Sequence, residues 1–233
     1  LMREWILAYK NSKAQIYPPV KPAAPYRDYI SWLEERDEES AIDYWRDYLQ
    51  GFAMPSHLAN TARISDSQSL DPDQTEEHQK TVVIQSVKLA SETTRKLNEI
   101  ARRERVTMST LVQSAWACVL SRYTNRDDVM FGLARSGRPP TLQQIDSRVG
   151  MFVNTLPLRI KVRDESKVFP WLRENQAELI NQQSREFIPL TKVHGVSEIP
   201  SNLALFDSVV VFENYPAIAP PAGMDDLAIR NVQ

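Results

Sequence analysis

The sequence predicts a layered α/β fold, and three features support that expectation. Segments with apolar residues at helical spacing alternate along the chain with short β-branched runs. The late run DSVVVFENY has an unbroken apolar centre, the pattern of a strand buried on both faces. At 42% hydrophobic and 25% charged residues, the 233-residue chain has ordinary globular composition and enough length for a sizeable core.

Residues 2–10 predict an amphipathic helix with Met2, Trp5, Ile6 and Tyr9 on one face. Residues 17–25, YPPVKPAAP, place four prolines after Tyr17 and deny the backbone regular hydrogen bonding, so they read as a connector. Two helices follow. YRDYISWLEER carries Tyr26, Tyr29, Ile30 and Leu33 at helical spacing, and EESAIDYWRDYLQGF carries Ile42, Trp45 and Leu49. Residues 53–79 are polar and aperiodic and predict a long surface loop. Residues 80–89, KTVVIQSVKL, are β-branched with partial alternation and predict a strand. Ser91 is placed to cap a helix running to about Arg103, with Leu97, Ile100 and Ala101 inward. Thr107 or Ser109 caps the next helix, through Tyr123, which is apolar nearly all round and is expected to be central. DDVMFGLARSG predicts a strand running into a Gly-Arg-Pro-Pro turn, and NTLPLRIKV a second strand. FPWLRENQAELINQQSREF predicts an amphipathic helix with Pro170 at an early position.

Composition excludes several functions. The 28 basic and 30 acidic residues are well mixed and leave a net charge of −2, which offers no electrostatic grip on nucleic acid or an anionic membrane. No run approaches the ~18 apolar residues that a bilayer span needs. The opening LMREWILAYK has charges inside its apolar stretch and reads as a poor signal peptide. One cysteine permits no intramolecular disulfide, so a cytoplasmic home is the default expectation. Cys118 itself reads as a small core residue on a buried helix. Together with only His57, His78 and His194 it assembles no usual zinc site. The sequence has no GxSxG, Walker or dinucleotide-binding pattern. His194 reads as an exposed or locally bonded loop histidine, and the pair Asp127–Asp128 as a strand terminator or cap.

One segment stands apart physically. In RVGMFVNTLPLR, Asn154 and Thr155 interrupt an apolar stretch, and Arg159 lies on the strand they open. Such an arginine is either a solvated strand residue or, if buried, needs a carboxylate partner. Gly150 is expected to permit a tight turn ahead of that strand.

The string Val149-Gly150-Met151-Phe152-Val153-Asn154-Thr155-Leu156-Pro157-Leu158-Arg159 resembles a signature of the condensation domains of nonribosomal peptide synthetases. Tyr26-Arg27-Asp28-Tyr29-Ile30-Ser31-Trp32 is similar to the family's Tyr-x-Asp-(Tyr/Phe)-Ala-x-Trp motif, and Tyr44-Trp45 with Leu49-Gln50-Gly51 to its continuation. DVMFGLARSGRP resembles the strand and turn before the Asn-Thr signature, and Leu205 to Pro216 a late LF…VVFENYP motif. Two departures accompany the likeness. The family's catalytic His-His-x-x-x-Asp-Gly is absent, so the chain is expected to begin just past it, and SREFIPL is a loose match to a His-Gln-Asp-Tyr-Pro-Phe-Glu-like segment.

The resemblance implies a chloramphenicol-acetyltransferase-like fold in which a mixed β-sheet packs with helices. Residues 1–17 would end an N-terminal lobe and residues 18–233 would form a C-terminal lobe. It implies amide-bond formation between thioesters tethered to donor and acceptor peptidyl carrier proteins, with an adenylation module adjacent. No cofactor would bind directly, because the phosphopantetheine arm comes from the carriers, and no metal is implied. No catalytic residue lies in this chain by that reading, and the chain alone would be inactive. Arg159 and Asn214 would support the active site, Arg159 pairing with the aspartate of the absent motif to brace two lobes. Asn154 and Thr155 would line the tunnel or make strand-end hydrogen bonds. Tyr29, Trp32 and Trp45 read as core aromatics. The alternatives are an epimerisation or heterocyclisation relative, a non-catalytic docking platform of the same fold, and a free-standing acyltransferase.

Overall fold

A computed structural model describes residues 8–9, 23–56, 83–163, 165 and 167–213. Helix α1 spans Arg27–Glu34 and α2 spans Glu38–Leu49. Asp37 starts α2 by accepting the Ser40 amide at 3.0 Å, one of the donors a helix start leaves unpaired. Ala41, Trp45 and Leu49, four apart, form its buried stripe and pack into the core with Met130, Leu156 and Ile188. Helix α3, Ser91–Glu104, starts from Ala90 with no side-chain cap, so Ser91 is its first turn and not its cap. Helix α4, Met108–Thr124, is capped by Thr107, which accepts the Thr110 amide at 3.1 Å.

Strands β1, Asp128–Arg135, and β2, Asn154–Lys161, pair antiparallel over their full length, from Asp128↔Lys161 to Arg135↔Asn154. Helix α5 follows at Val168–Gln183 and the short α6 at Leu190–Gly195. Strand β3, Val209–Val210, adds to β1 in parallel at Gly132↔Val209, giving a mixed sheet of order β2-β1-β3. The centre of β1 is buried and packs under α4 through Ala117 and Leu120, with Leu158, Ile160 and Leu179 closing that side. Pro157 is tolerated in mid-strand because β2 is an edge. Its neighbour two residues on, Arg159, turns its amide outward to the Tyr48 hydroxyl at 2.7 Å, so position 157 needs no inward donor.

Several expectations change in the structure. Residues 83–90 form no strand, and Val83, Ile84, Val87 and Leu89 are exposed. β-branched composition suits a pleat, but a strand exists only where a neighbour takes up its backbone groups, and none does so among the described residues. Helix α4 is one-sided: Thr110, Gln113, Ser114, Ala117 and Leu120 are buried, while Val112, Val119 and Tyr123 face outward. Its small polar face lets α5 approach closely. Thr110 donates to Gln176 at 2.6 Å, and Asn175 donates to Ser114 at 3.0 Å. β3 is not buried on both faces, for Val209 is half-exposed and only two residues pair. Ile30 lies on the exposed side of α1. Of the 2–10 helix, residues 8 and 9 are helical and the others lie outside the described residues, as do most of the connector and of the 53–79 loop.

The loop from Ser136 to Val153 folds back onto α1. Arg148, 6% exposed, donates to Asp28 at 2.8 Å and to the Gln143 carbonyl. Tyr26 donates to the Met151 carbonyl at 2.5 Å. Gly150, where the chain bends, also serves this docking, because a Cβ there would sit 2.1 Å from the Tyr26 ring. Gly137 has φ +59° and faces the Phe152 carbonyl, which a Cβ would meet at 1.6 Å, whereas Gly51 has φ +75° with open space around it. These two glycines predict different penalties. Gly51→Ala should cost about 1–2 kcal/mol from the left-handed backbone alone. Gly137→Ala should cost about 3 kcal/mol or more, because overpacking adds to the same strain. Urea unfolding of both variants checks the order, which fails if the two losses are equal.

Candidate functional site

The last register pair of the ladder, Arg135↔Asn154, builds the site. Arg135 Nη1 lies 3.1 Å from Glu186 Oε1, and Nη2 donates to Gln182 Oε1 at 2.9 Å. Across the ladder, the Asn154 amide donates to the carbonyls of Glu186 at 2.9 Å and Ile188 at 2.8 Å. One strand end therefore grips the backbone of residues 186–188 while the other meets the Glu186 carboxylate. The side chains of Arg135 and Glu186 are only 15% and 17% exposed. Burial pushes the Glu186 carboxyl above its ordinary range and the Arg135 guanidinium below its own, and their mutual attraction only partly offsets this. For both partners desolvation exceeds the Coulomb gain, the usual balance for a buried ion pair.

Two cavities flank this pair. The first, of about 370 Å³, is lined by Tyr29, Trp32, Phe187, Pro139 and Pro140 with Arg36 and Arg138 at its sides. The second, of about 320 Å³, is lined by Thr107, Ser109, Gln113, Gln176 and Arg135 with Phe212. Ser136, Ile180, Gln183 and Glu186 border both, so the two are chambers of one trough over α5 and the end of β1. The first is aromatic, the second amide- and hydroxyl-rich. Among the described residues no nucleophile–base couple faces either chamber.

The residues singled out by sequence fall in different places. Arg159, 12% exposed, is at the other end of the ladder. Its Nε lies 3.0 and 3.1 Å from the Asp128 oxygens and its Nη2 2.7 Å from one of them. Its Nη1 donates to the carbonyls of Tyr48 at 3.0 Å and Gln50 at 2.8 Å, closing the C-terminal end of α2. Within this chain the carboxylate that meets the arginine is Asp128, on the neighbouring strand. The same contact corrects the view of Asp128 as a terminator. Asn154 makes the strand-end hydrogen bonds described above, and Thr155 pairs with Ala134 in the ladder. Asn214 lies outside the described residues. Trp45 is fully buried, Tyr29 is buried in a core cluster with Phe152, and Trp32 packs against that cluster; Tyr29 and Trp32 also border the aromatic chamber.

His194 is on α6, not in a loop, and borders a separate cavity of about 430 Å³. Cys118 is half-buried on α4, and burial pushes its thiol up, away from reactivity. Among the described residues no cluster of metal-ligating side chains occurs, and no helix is long and apolar enough to cross a membrane. Sequence reasoning missed Arg135, Glu186 and Gln113. The available signal was an arginine closing the apolar strand VMFGLA, a position that requires a partner once the strand is buried.

The fold is a layered α/β arrangement with a mixed sheet, and the trough beside it is lined by amide, hydroxyl and aromatic groups. The family model described as condensation domain matches residues 1–228, and the chain belongs to that family. It is 37% identical over 208 residues to a linear gramicidin synthase polypeptide of Brevibacillus parabrevis, covering 89% of this chain and 4% of that protein. It is 33% identical over 217 residues to bacitracin synthase 3 of Bacillus licheniformis, covering 93% of this chain and 3% of that one. The chain thus spans a few per cent of these large relatives. Among solved structures, the first condensation domain of the CDA synthetase superposes with a TM-score of 0.66 at 16% identity, over 91% of this chain and 44% of that one. The X-domain from teicoplanin biosynthesis gives 0.60 at 19% identity, over 87% and 45%. The fold is the chloramphenicol-acetyltransferase-like arrangement of condensation domains.

The buried pair sets a pH dependence. A carboxyl raised on folding binds more protons in the folded than in the unfolded state, so its contribution to stability falls as pH rises through the interval above the unfolded carboxylate value. The difference in unfolding free energy between the parent chain and Glu186→Gln should therefore decline from about pH 4 towards pH 7, as measured by urea titration at each pH. A difference that grows with pH would show that pairing with Arg135 outweighs burial.

Proposed function

We propose that this chain forms one wall of a site that makes amide bonds between carrier-tethered thioesters in nonribosomal peptide assembly. Membership of the condensation family over nearly the whole chain carries this reading. The trough supports it, being long enough for two chambers and lined with hydrogen-bonding groups. In such a reaction the amine of an acceptor attacks the thioester carbonyl of a donor. The new C–N bond forms through a tetrahedral oxyanion, the thiolate of the donor arm leaves, and the amine's proton is lost to base or solvent. Both reactants are tethered, so bringing them together is the larger part of the catalysis, worth up to about 7–11 kcal/mol in well-oriented systems. Donors near the developing oxyanion supply a further part.

By this reading the phosphopantetheine arms come from donor and acceptor peptidyl carrier proteins, and an adenylation module and a second lobe carrying the His-His-x-x-x-Asp-Gly motif work beside this wall in the cytoplasm. Arg159 then acts as a structural brace within the wall, and Asn154 as a positioning residue for Glu186. Asn214, outside the described residues, keeps the active-site support role that the family resemblance implies.

Ser136 is exposed and borders both chambers, so a large side chain there separates them without entering the core. In a synthetase module containing this chain, Ser136→Trp should lower dipeptide formation from loaded carriers by about a hundredfold or more, the scale of a mispositioned reactant. The melting temperature should stay unchanged. Undiminished dipeptide yield, followed by mass spectrometry of the acceptor carrier, would overturn the assignment of the trough.

A further inference from the structure

The two facing walls of the aromatic chamber belong to segments far apart in the chain. Helix α1 supplies Tyr29, Trp32 and Arg36, and the loop from Ser136 to Thr141 stands opposite. Apart from one 3-10 turn at Ile145–Ser147, the stretch 136–153 contains no helix or strand that would fix its shape. Two guanidiniums take that part. Arg138, a wall residue, donates from Nη1 to the carbonyls of Ile145 and Arg148, and its Cζ lies 4.2 Å from the centre of the Phe152 ring. Arg148 donates to the Gln143 carbonyl from Nε at 3.3 Å and from Nη2 at 3.2 Å, and its Nη1 serves the Pro25 carbonyl and Asp28 Oδ2, the latter at 2.8 Å. Asp28 is in the first turn of α1, next to Tyr29. One ion pair therefore ties the two walls together, reaching α1 through Asp28 and the loop through Gln143 and the anchor of Arg138.

We infer that Asp28 and Arg148 are positioning residues that set the width of this chamber and, with it, the placement of the reactant group the chamber holds. The second half rests on the proposed function of the trough. Burial makes the pair decisive. Arg148 is only 6% exposed, whereas Asp28 keeps 43% of its side chain open to solvent. A buried cation that loses its carboxylate has to be hydrated, because the carbonyls that remain do not neutralise it. Hydrating Arg148 requires the loop to lift from α1. Arg138 then moves too, since one of its anchors is the carbonyl of residue 148 itself. Trp32 also crosses between the walls, donating to Thr141 Oγ1 at 3.2 Å, but that neutral bond is exposed and does not replace the clasp. Neither Asp28 nor Arg148 lines the chamber, so both act through Trp32 and the 136–141 wall.

The test compares Asp28→Ala with Gly51→Ala, a destabilising change at the far end of α2 that leaves the clasp intact. In the isotopically labelled 233-residue chain, the indole N–H resonance of Trp32 should shift in Asp28→Ala and stay in place in Gly51→Ala. An unmoved Trp32 resonance in Asp28→Ala overturns the inference without reference to turnover. In a synthetase module containing this chain, Asp28→Ala should lower the maximal rate of dipeptide formation from loaded carriers about tenfold or more, the effect of a displaced reactant. The acceptor-carrier concentration at half-maximal rate should stay within about twofold, since no binding contact is removed. Gly51→Ala should change neither quantity. A full rate in Asp28→Ala, or an equal loss in Gly51→Ala, also overturns the inference. Should Asp28→Ala fail to fold, Asp28→Asn, which keeps the shape and removes the charge, is judged by the same two readouts. A parent module that forms no dipeptide sinks the condensation reading, and the clasp then stands or falls on Trp32 alone.

Discussion

Among the described residues, the core under α4, the seat of α2 and the trough all depend on the antiparallel ladder between β1 and β2. Its register runs without a bulge from Asp128↔Lys161 to Arg135↔Asn154. A slip by one residue would turn every side chain to the other face. The core under α4, the seat of α2 and the trough would then be lost together. The two ends of the ladder do different work. At one, Arg159 reaches Asp128 on the neighbouring strand and the last carbonyls of α2, so the helix is moored where its own hydrogen bonds run out. At the other, Arg135 and Asn154 share the segment 186–188, one by the side chain of Glu186 and one by its backbone.

The two arginines on this ladder show how the same residue type serves opposite ends. Arg159 is well met: a carboxylate, two carbonyls and the Phe52 face surround it. Such close pairing is the condition under which a buried charge holds structure together. Arg135 is similarly shielded but less completely met, and burial outweighs attraction for it and for Glu186. The net contribution of a pair of that kind to stability is small.

Edges explain where the sheet stops. The outer side of β2 is closed by Tyr48, whose hydroxyl donates to the Arg159 carbonyl and accepts its amide, and by Pro157, which has no donor to offer. The opposite side ends in the two-residue β3, exposed at Val209. Helix α4 lies over the buried middle of β1 and meets α5 through hydroxyls and amides. That polar seam fixes the spacing of the two helices, and the second chamber opens beside it between Gln113 and Gln176.

What the sequence determined by itself was local. Helical spacing located α1, α2, α4 and α5, Thr107 capped the helix it was assigned to, and the strands 128–135 and 154–161 stood where their apolar runs placed them. The family was legible too, because its signature is a contiguous string. Tertiary structure alone decided which face of an all-round apolar helix was buried, and whether β-branched residues 83–89 found a neighbour. It also decided that the partner of Arg159 is Asp128 and that Arg135, Gln113 and Glu186, far apart in the chain, meet at one trough. The reason is physical: periodicity and capping act over one or two helical turns, whereas pairing, burial and cavities depend on which distant surfaces the ladder brings into contact.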